Sequence, residues 1–574
     1  MTLSPAEHAL ADLAFRLGAA QVAGWSAAEQ SLVAAAAGMA GSGLAGLAGL
    51  AGLAGALGAA GAGAPGDLDR PDGVAGLRDR IRAGEDPLGE AFCLIRTPQQ
   101  RRRAGQTFTP AAVVDSMVSW AARTLAPARV VDPGAGSARF LAAAGRRWPQ
   151  ARLVGLETDP LAALIGRASL AAAGLADRAV IQLADYRSAL LPAVSGRTLF
   201  LGNPPYVRHH QVPAPWKEWL RDTAARLGVP ASGLAGLHAH FFLATALHAA
   251  PGDAGALVTA AEWLDANYGS LIRALLLGPL GGEAVHLLDP AAAVFPDAAA
   301  TSVITCFRPG TQPQAIRLRQ VPQVSGLDGL AGGTPVPVPV LRAASRWRPL
   351  AVHPSRPRRR RPEGMVELGE LCRVHRGQVT GANNVWITAR NGSGPGLPAR
   401  FLLPAVTRAR ELFGAGDSLA TSAGLRRVID LPADLGVLPA NERSQVNAFL
   451  ARALAQGAAE SYVARHRSPW WRVRMGEPAP ILATYMARRP PAFVRNLAAV
   501  RHVNIAHGLY PREPLTPAAL DSLAAYLRNS VTPAQGRVYA GGLAKFEPGE
   551  MERLPVPAPA LLRAGAGSGC RPPM

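Results

Sequence analysis

Apolar residues along this chain of 574 residues recur with two periods, and the period switches where one element would give way to the next. Val113, Val114, Met117, Val118 and Ala121 repeat at helical spacing, which predicts an amphipathic helix entered from a loop at 105–110. Further on, the apolar positions gather into short runs at 129–131, 152–156, 180–183, 198–202 and 254–259. Short runs bounded by Gly, Asp or Pro fit strands buried on both faces. Residues 271–276 return to helical spacing, and 285–288 with 301–307 read as antiparallel strands closing the sheet. Strands alternating with helices predict an α/β fold, a Rossmann-like sheet flanked by helices.

The flanking regions carry other patterns. Residues 1–37 are Ala-rich with helical spacing, whereas 30–66 hold no charge and repeat Gly-Leu-Ala from Gly43 to Ala54. That run is long enough to cross a bilayer. Glycine at every third position costs a helix about 1 kcal/mol each, so a flexible linker is expected ahead of a weak helix or a membrane span. On this reading 1–66 is a low-complexity region and 67–310 the first folded domain. Residues 67–103 look helical and charged, ending in Arg101-Arg102-Arg103, a solvated face or a phosphate contact. Residues 311–362 have the Pro, Gly and Arg content of a linker, 363–557 form a second domain, and 558–574 read as a disordered tail.

Charge and cysteine usage narrow the class. A formal net charge of +20 and a pI of about 11.1 favour a polyanionic partner. Lys217 and Lys545 are the only lysines, but a GC-rich coding bias would enrich arginine too, so the sign of the charge says more than its type. Cys93, Cys306, Cys372 and Cys570 are isolated, which argues against a disulfide scaffold or a zinc module. Glu7 and Asp12 precede the first arginine, Arg16, the wrong order for a secretory signal. A cytoplasmic monomer without a membrane segment is expected.

Candidate chemistry lies at the strand ends. After 129–131 comes Asp132-Pro133-Gly134-Ala135-Gly136, a turn whose glycines let the backbone approach a ligand. The next strand ends at Glu157, where an acid in a doubly wound sheet typically holds ribose hydroxyls. A third ends at Asp185, placed either to accept from an adenine amine or to satisfy its own turn. A fourth runs into Asn203-Pro204-Pro205-Tyr206. The amide oxygen of Asn203 and the carbonyl of Pro204 suit the two hydrogens of an exocyclic amine, and Tyr206 offers a stacking face. A tight Pro-Pro turn after a strand is the bland alternative. The pairs His209-His210 and His238/His240 lack the acid or Cys pattern of a metal site, and no metal is expected.

The order of these motifs resembles the gamma class of N6-adenine DNA methyltransferases. The resemblance implies a class I methyltransferase sheet using S-adenosyl-L-methionine, followed by an α+β target-recognition domain. It implies that Thr109, Pro110, Asp132, Pro133, Gly134, Gly136, Glu157, Asp185 and Asn203 meet the cofactor. Asn203, Pro204, Pro205 and Tyr206 would be catalytic, with Phe295 packing on the other face of a flipped base; in isolation a core phenylalanine would look the same. Residues 368–386 resemble the opening of the recognition domain, and Trp470, Trp471 and Arg472 mix aromatics with charge as either contacts or core. The implied partner is double-stranded DNA. RNA or protein glutamine is the alternative substrate, and a non-catalytic DNA-binding defence subunit the alternative class. No lysine precedes Lys217, so a nuclease site of the Asp, Glu-x-Lys kind cannot form in the N-terminal region. Modification without cleavage is expected, with a separately encoded restriction endonuclease as a possible partner.

Overall fold

A computed structural model describes residues 3–26, 71–106, 108–289, 301–352, 364–388, 396–539 and 543–563. The chain divides into two compact units, Met1–Arg356 and Pro357–Met574.

In the first unit β1 (Arg129–Asp132), β2 (Arg152–Glu157), β3 (Ala179–Leu183), β4 (Thr198–Gly202) and β5 (Ala254–Ala260) are parallel, in the spatial order β3-β2-β1-β4-β5. Strands β6 (Gly282–Leu288) and β7 (Ser302–Phe307) continue the sheet, with β7 antiparallel to both β5 and β6 as the apolar runs predict. The order reverses between β1 and β4, so a crevice opens beyond their C-terminal ends.

Alternate residues of each strand serve opposite layers. Val130, Leu199, Leu201 and Ala256 pack with Met117 and Leu141 from the helices Ala111–Thr124 and Arg139–Arg147. Val131, Phe200 and Leu257 pack with Phe242 and Leu275 from the helices Leu237–His248 and Ser270–Leu277. Burial on both faces explains why β4 and β5 read as unbroken apolar runs. Each fully buried Leu or Phe contributes roughly 1.5–3 kcal/mol, so the strand ends that carry the motifs are held rigidly.

Three expected boundaries move. Residues 5–16 belong to the first unit: Ser4 and Glu7 form a capping box for the helix Pro5–Arg16, whose Leu10 and Leu13 pack on Leu161 and Ile165 of the helix Pro160–Ala172. Ala23 then bridges Val180, lengthening the sheet beyond β3. The supposed linker 311–362 supplies β8 (Ala315–Val321) and β9 (Thr334–Pro337), which bring the sheet to nine strands among the described residues. Ile316 and Leu318 are buried there while Arg317 is exposed, an alternation hidden by the surrounding Pro and Arg. The prolines of β9 are tolerated because it is an edge strand. Finally, Pro559–Arg563 is helical and buries Leu562, so the tail expected from 558 is folded through this point. The Gly-Leu-Ala repeat lies outside the described residues.

The second unit is α+β. A five-stranded sheet includes Cys372–Arg376 at one edge and Ala506–Pro511 beside it, covered by the helix Pro517–Ser530. Trp470 meets Trp386 at 6.1 Å, and the Trp471 indole donates to the Pro432 carbonyl at 3.1 Å, so both tryptophans serve packing. No helix among the described residues is long and apolar enough to cross a membrane.

Candidate active site

A cavity of about 390 Å3 lies at the C-terminal ends of the parallel strands, within the roughly 300–1,000 Å3 of small-molecule sites. Thr109, Pro133, Gly134, Gly136, Glu157, Asp185, Asn203 and Pro205 line it, so most of the expected cofactor residues converge. Pro110, Asp132, Pro204 and Tyr206 are not in its lining. Phe295 lies outside the described residues.

The tetrapeptide is clasped by the loop that precedes the helix Ala111–Thr124. Asn203 Nδ2 donates to Thr109 Oγ1 at 3.1 Å, and the Tyr206 amide donates to the Gly105 carbonyl at 3.1 Å. Gly105 has φ +69°, and a Cβ there would lie 2.8 Å from the Tyr206 nitrogen. Only glycine combines that backbone with that approach. Gly202, just before the tetrapeptide, is equally constrained, since a Cβ would sit 2.7 Å from Asp132 Oδ1. The Tyr206 hydroxyl is buried, and burial pushes the phenol above its ordinary range, so it stays neutral.

Asp132, expected among the cofactor residues, is not in the cavity lining. It is fully buried beneath the glycine turn, where Oδ1 accepts the Gly134 amide at 3.2 Å. Burial pushes its carboxyl up to about 8, opposed by that hydrogen bond and reinforced by the nearby charge of Glu157. Pro110, likewise outside the lining, is the N-cap residue of the helix Ala111–Thr124. Glu157 accepts the Gly136 amide at 2.9 Å and the Thr158 and Asp159 amides at 2.8 and 2.9 Å, while burial raises its carboxyl.

Asp185 is engaged by a residue that sequence reasoning missed. Arg187 Nε and Nη2 donate to its two carboxylate oxygens at 2.9 and 2.6 Å, and the Arg187 amide adds a third bond at 3.0 Å. Burial alone would raise the Asp185 carboxyl; the Arg187 bonds outweigh it and hold the group below its ordinary value. Gln106, Phe108, Asp159 and Phe241 also line the cavity. Asp159 is the N-cap residue before Pro160, and it accepts the Leu161 and Ala162 amides at 3.0 and 3.2 Å. It also pairs with Arg96, which holds Glu7 at 2.8 Å, so the N-terminal helix is tied to the cavity rim.

This donor set fits S-adenosyl-L-methionine. The open turn at Gly134 and Gly136 admits close approach, Glu157 and Asp185 sit at successive strand ends for polar groups of a nucleoside, and apolar Phe108 and Phe241 complete the walls. Among the described residues no cluster of three or more His, Cys, Asp or Glu is placed to hold a metal ion.

The second unit has its own cleft, about 690 Å3, lined by Arg373, His375, Arg376, Gln378, Glu477 and Arg512 among others. Strand alternation makes it: Cys372 and Val374 face the core while Arg373 and His375 are exposed.

Comparison with known proteins adds the lineage. A family model described as the C-terminal domain of type II methyltransferase M.Eco57I matches residues 358–567. The type II methyltransferase M.XamI of Xanthomonas campestris pv. amaranthicola is 50% identical over 497 residues, 85% of this chain and 92% of its own length. A tRNA1(Val) (adenine(37)-N6)-methyltransferase of Porphyromonas gingivalis is 34% identical over 96 residues, 16% of this chain and 38% of its own. Among solved structures, the type IIL restriction-modification enzyme MmeI in complex with DNA shares the fold at a TM-score of 0.52 and 15% identity, covering 77% of this chain and 67% of that one. One residue in two is identical over 85% of this chain and nearly all of M.XamI, and the protein belongs to the family of type II methyltransferases.

Proposed function

We propose that this chain is a site-specific DNA methyltransferase that methylates adenine at N6 after the base is flipped from the duplex. The observation that carries the reading is Asn203-Pro204-Pro205-Tyr206 at the tip of β4, with Asn203 and Pro205 in the wall shared by Glu157 and Asp185. The N6 lone pair of adenine is delocalised into the ring and is a poor nucleophile. Asn203 Oδ1 and the Pro204 carbonyl accept its two hydrogens and draw the nitrogen toward a tetrahedral geometry. Thr109 fixes the Asn203 amide, which orients Oδ1. Tyr206 and Phe295 are assigned to the two faces of the base. The cofactor supplies an electrophilic methyl group on sulfur. No strong base is needed, because N6 becomes acidic only as its new bond to carbon forms and the proton leaves to water.

The C-terminal match to an M.Eco57I domain supports duplex DNA as the polymer. The tRNA methyltransferase relative supports adenine N6 and makes RNA the second reading. A separately encoded endonuclease would complete a restriction-modification pair. The test is methyl transfer from labelled cofactor to duplex DNA and to RNA, with digestion to nucleosides. N6-methyladenine in DNA is expected, and Asn203→Ala should lose roughly 100-fold or more of the rate. Label in RNA alone, or full activity in Asn203→Ala, would overturn the reading.

A further inference from the structure

Arg187 is held in an unusual way. Its guanidinium grips the Asp185 carboxylate on one side, and on the other its Cζ lies 3.6 Å from the centroid of the Trp216 ring. Its side chain is only 7% exposed, and its buried Nη1 meets no acceptor among the described residues, so the fork and the stack alone fix it. Trp216 belongs to the helix Ala214–Arg226, in the segment that follows the catalytic tetrapeptide. That helix is anchored in turn, because Trp216 meets Trp219 edge-on at 5.9 Å and Trp219 stacks on buried His240 at 6.0 Å.

The bond count on Asp185 gives this arrangement a purpose. Oδ1 takes two N–H bonds from Arg187, whereas Oδ2 takes one and keeps a lone pair. Both Asp185 and Arg187 line the cofactor cavity. We propose that Arg187, clamped against Trp216, is a positioning residue that fixes the Asp185 carboxylate and aims its Oδ2 at the exocyclic amine of the cofactor's adenine. The inference rests on the assignment of Asp185 to that base. Selectivity for adenine over hypoxanthine then depends on Arg187 although it need not touch the base. Hypoxanthine puts a carbonyl oxygen where adenine has its amine, and a carboxylate locked in place repels that oxygen. A carboxylate free to turn away tolerates either.

The test uses the full chain and calorimetric titration with two ligands, S-adenosylhomocysteine and S-inosylhomocysteine. The wild type should prefer the adenosyl ligand by at least about tenfold, the scale of one hydrogen bond to a charged group. Arg187→Ala should lose about tenfold of that preference, and Arg187→Lys should not restore it, because an ammonium lacks the planar fork. Trp216→Ala should reduce the preference in the same direction and carries the test should Arg187→Ala fail to fold. Asp185→Asn separates the two claims. An intact preference in Asp185→Asn would overturn the assignment of Asp185 itself. A preference lost in Asp185→Asn but retained in Arg187→Ala and Trp216→Ala would overturn the role of Arg187 alone. An equal loss of affinity for both ligands in the Arg187 and Trp216 variants would also overturn it, marking those residues as structural only.

Discussion

Burial sets the ionisation of Asp132, which lies beneath the glycine turn. Its sequence position suggests a ligand contact, yet the carboxyl lies under the turn with its ionisation pushed up to about 8. A carboxyl raised in the folded state adds stability that is full below its unfolded value and is lost as pH rises through the folded one. Wild-type stability should therefore fall, relative to Asp132→Asn, by up to about 1.4 kcal/mol per pH unit between roughly pH 4 and 8, then level off. Denaturant titrations of both proteins across that range check it; a gap that stays constant with pH would contradict the assignment. Arg187 teaches the complementary lesson. Nothing in Ala184-Asp185-Tyr186-Arg187 marks the arginine, because its partner Trp216 comes from a distant helix and the clamp exists only after folding.

At the scale of elements, legibility followed burial. Strands β4 and β5 were readable because both faces are covered, leaving no charged position to blur the run. Strands β8 and β9 were not, since exposed Arg317 and the edge prolines gave them the composition of a linker. The loop 105–109 was recognisable as a loop, but its grip on Asn203 and Tyr206 arises from long-range pairing that no local pattern encodes. The N-terminal helix is coupled to the site through Arg96, whose side chain is 11% exposed between Glu7 and Asp159. Removing one member of such a buried network costs about 3 kcal/mol or more. Arg96→Ala should lower unfolding stability by that amount and weaken cofactor binding, because Asp159 lines the cavity. Denaturant unfolding with parallel titration of S-adenosylhomocysteine measures both; unchanged cofactor affinity would show that the N-terminal helix only supports the fold.

At the scale of the whole molecule, each unit brings its own cleft, and the proposed reading gives each a separate task. Arg373, Arg376 and Arg512 line the cleft of the second unit beside Glu477, the single acid of its lining among the described residues, which pairs with Arg501 at 2.9 Å. If these arginines meet phosphates, each alanine substitution should reduce the slope of log affinity against log salt by about 1 and weaken all sequences alike. An arginine that reads a base edge should relax specificity at one position, with a cost of about 1–3 kcal/mol. Binding to duplexes at several salt concentrations separates these outcomes, and slopes unmoved by all three substitutions would take DNA away from this cleft. The proposed function draws on both units: one adenine, in one sequence context, methylated at N6 by the site around Asn203. Sequencing DNA from an unmethylated host that expresses the chain tests it most directly. N6-methyladenine is expected at a single recurring sequence and absent with Asn203→Ala; methylation on cytosine, or an unchanged pattern in Asn203→Ala, would rule out adenine methylation at this site.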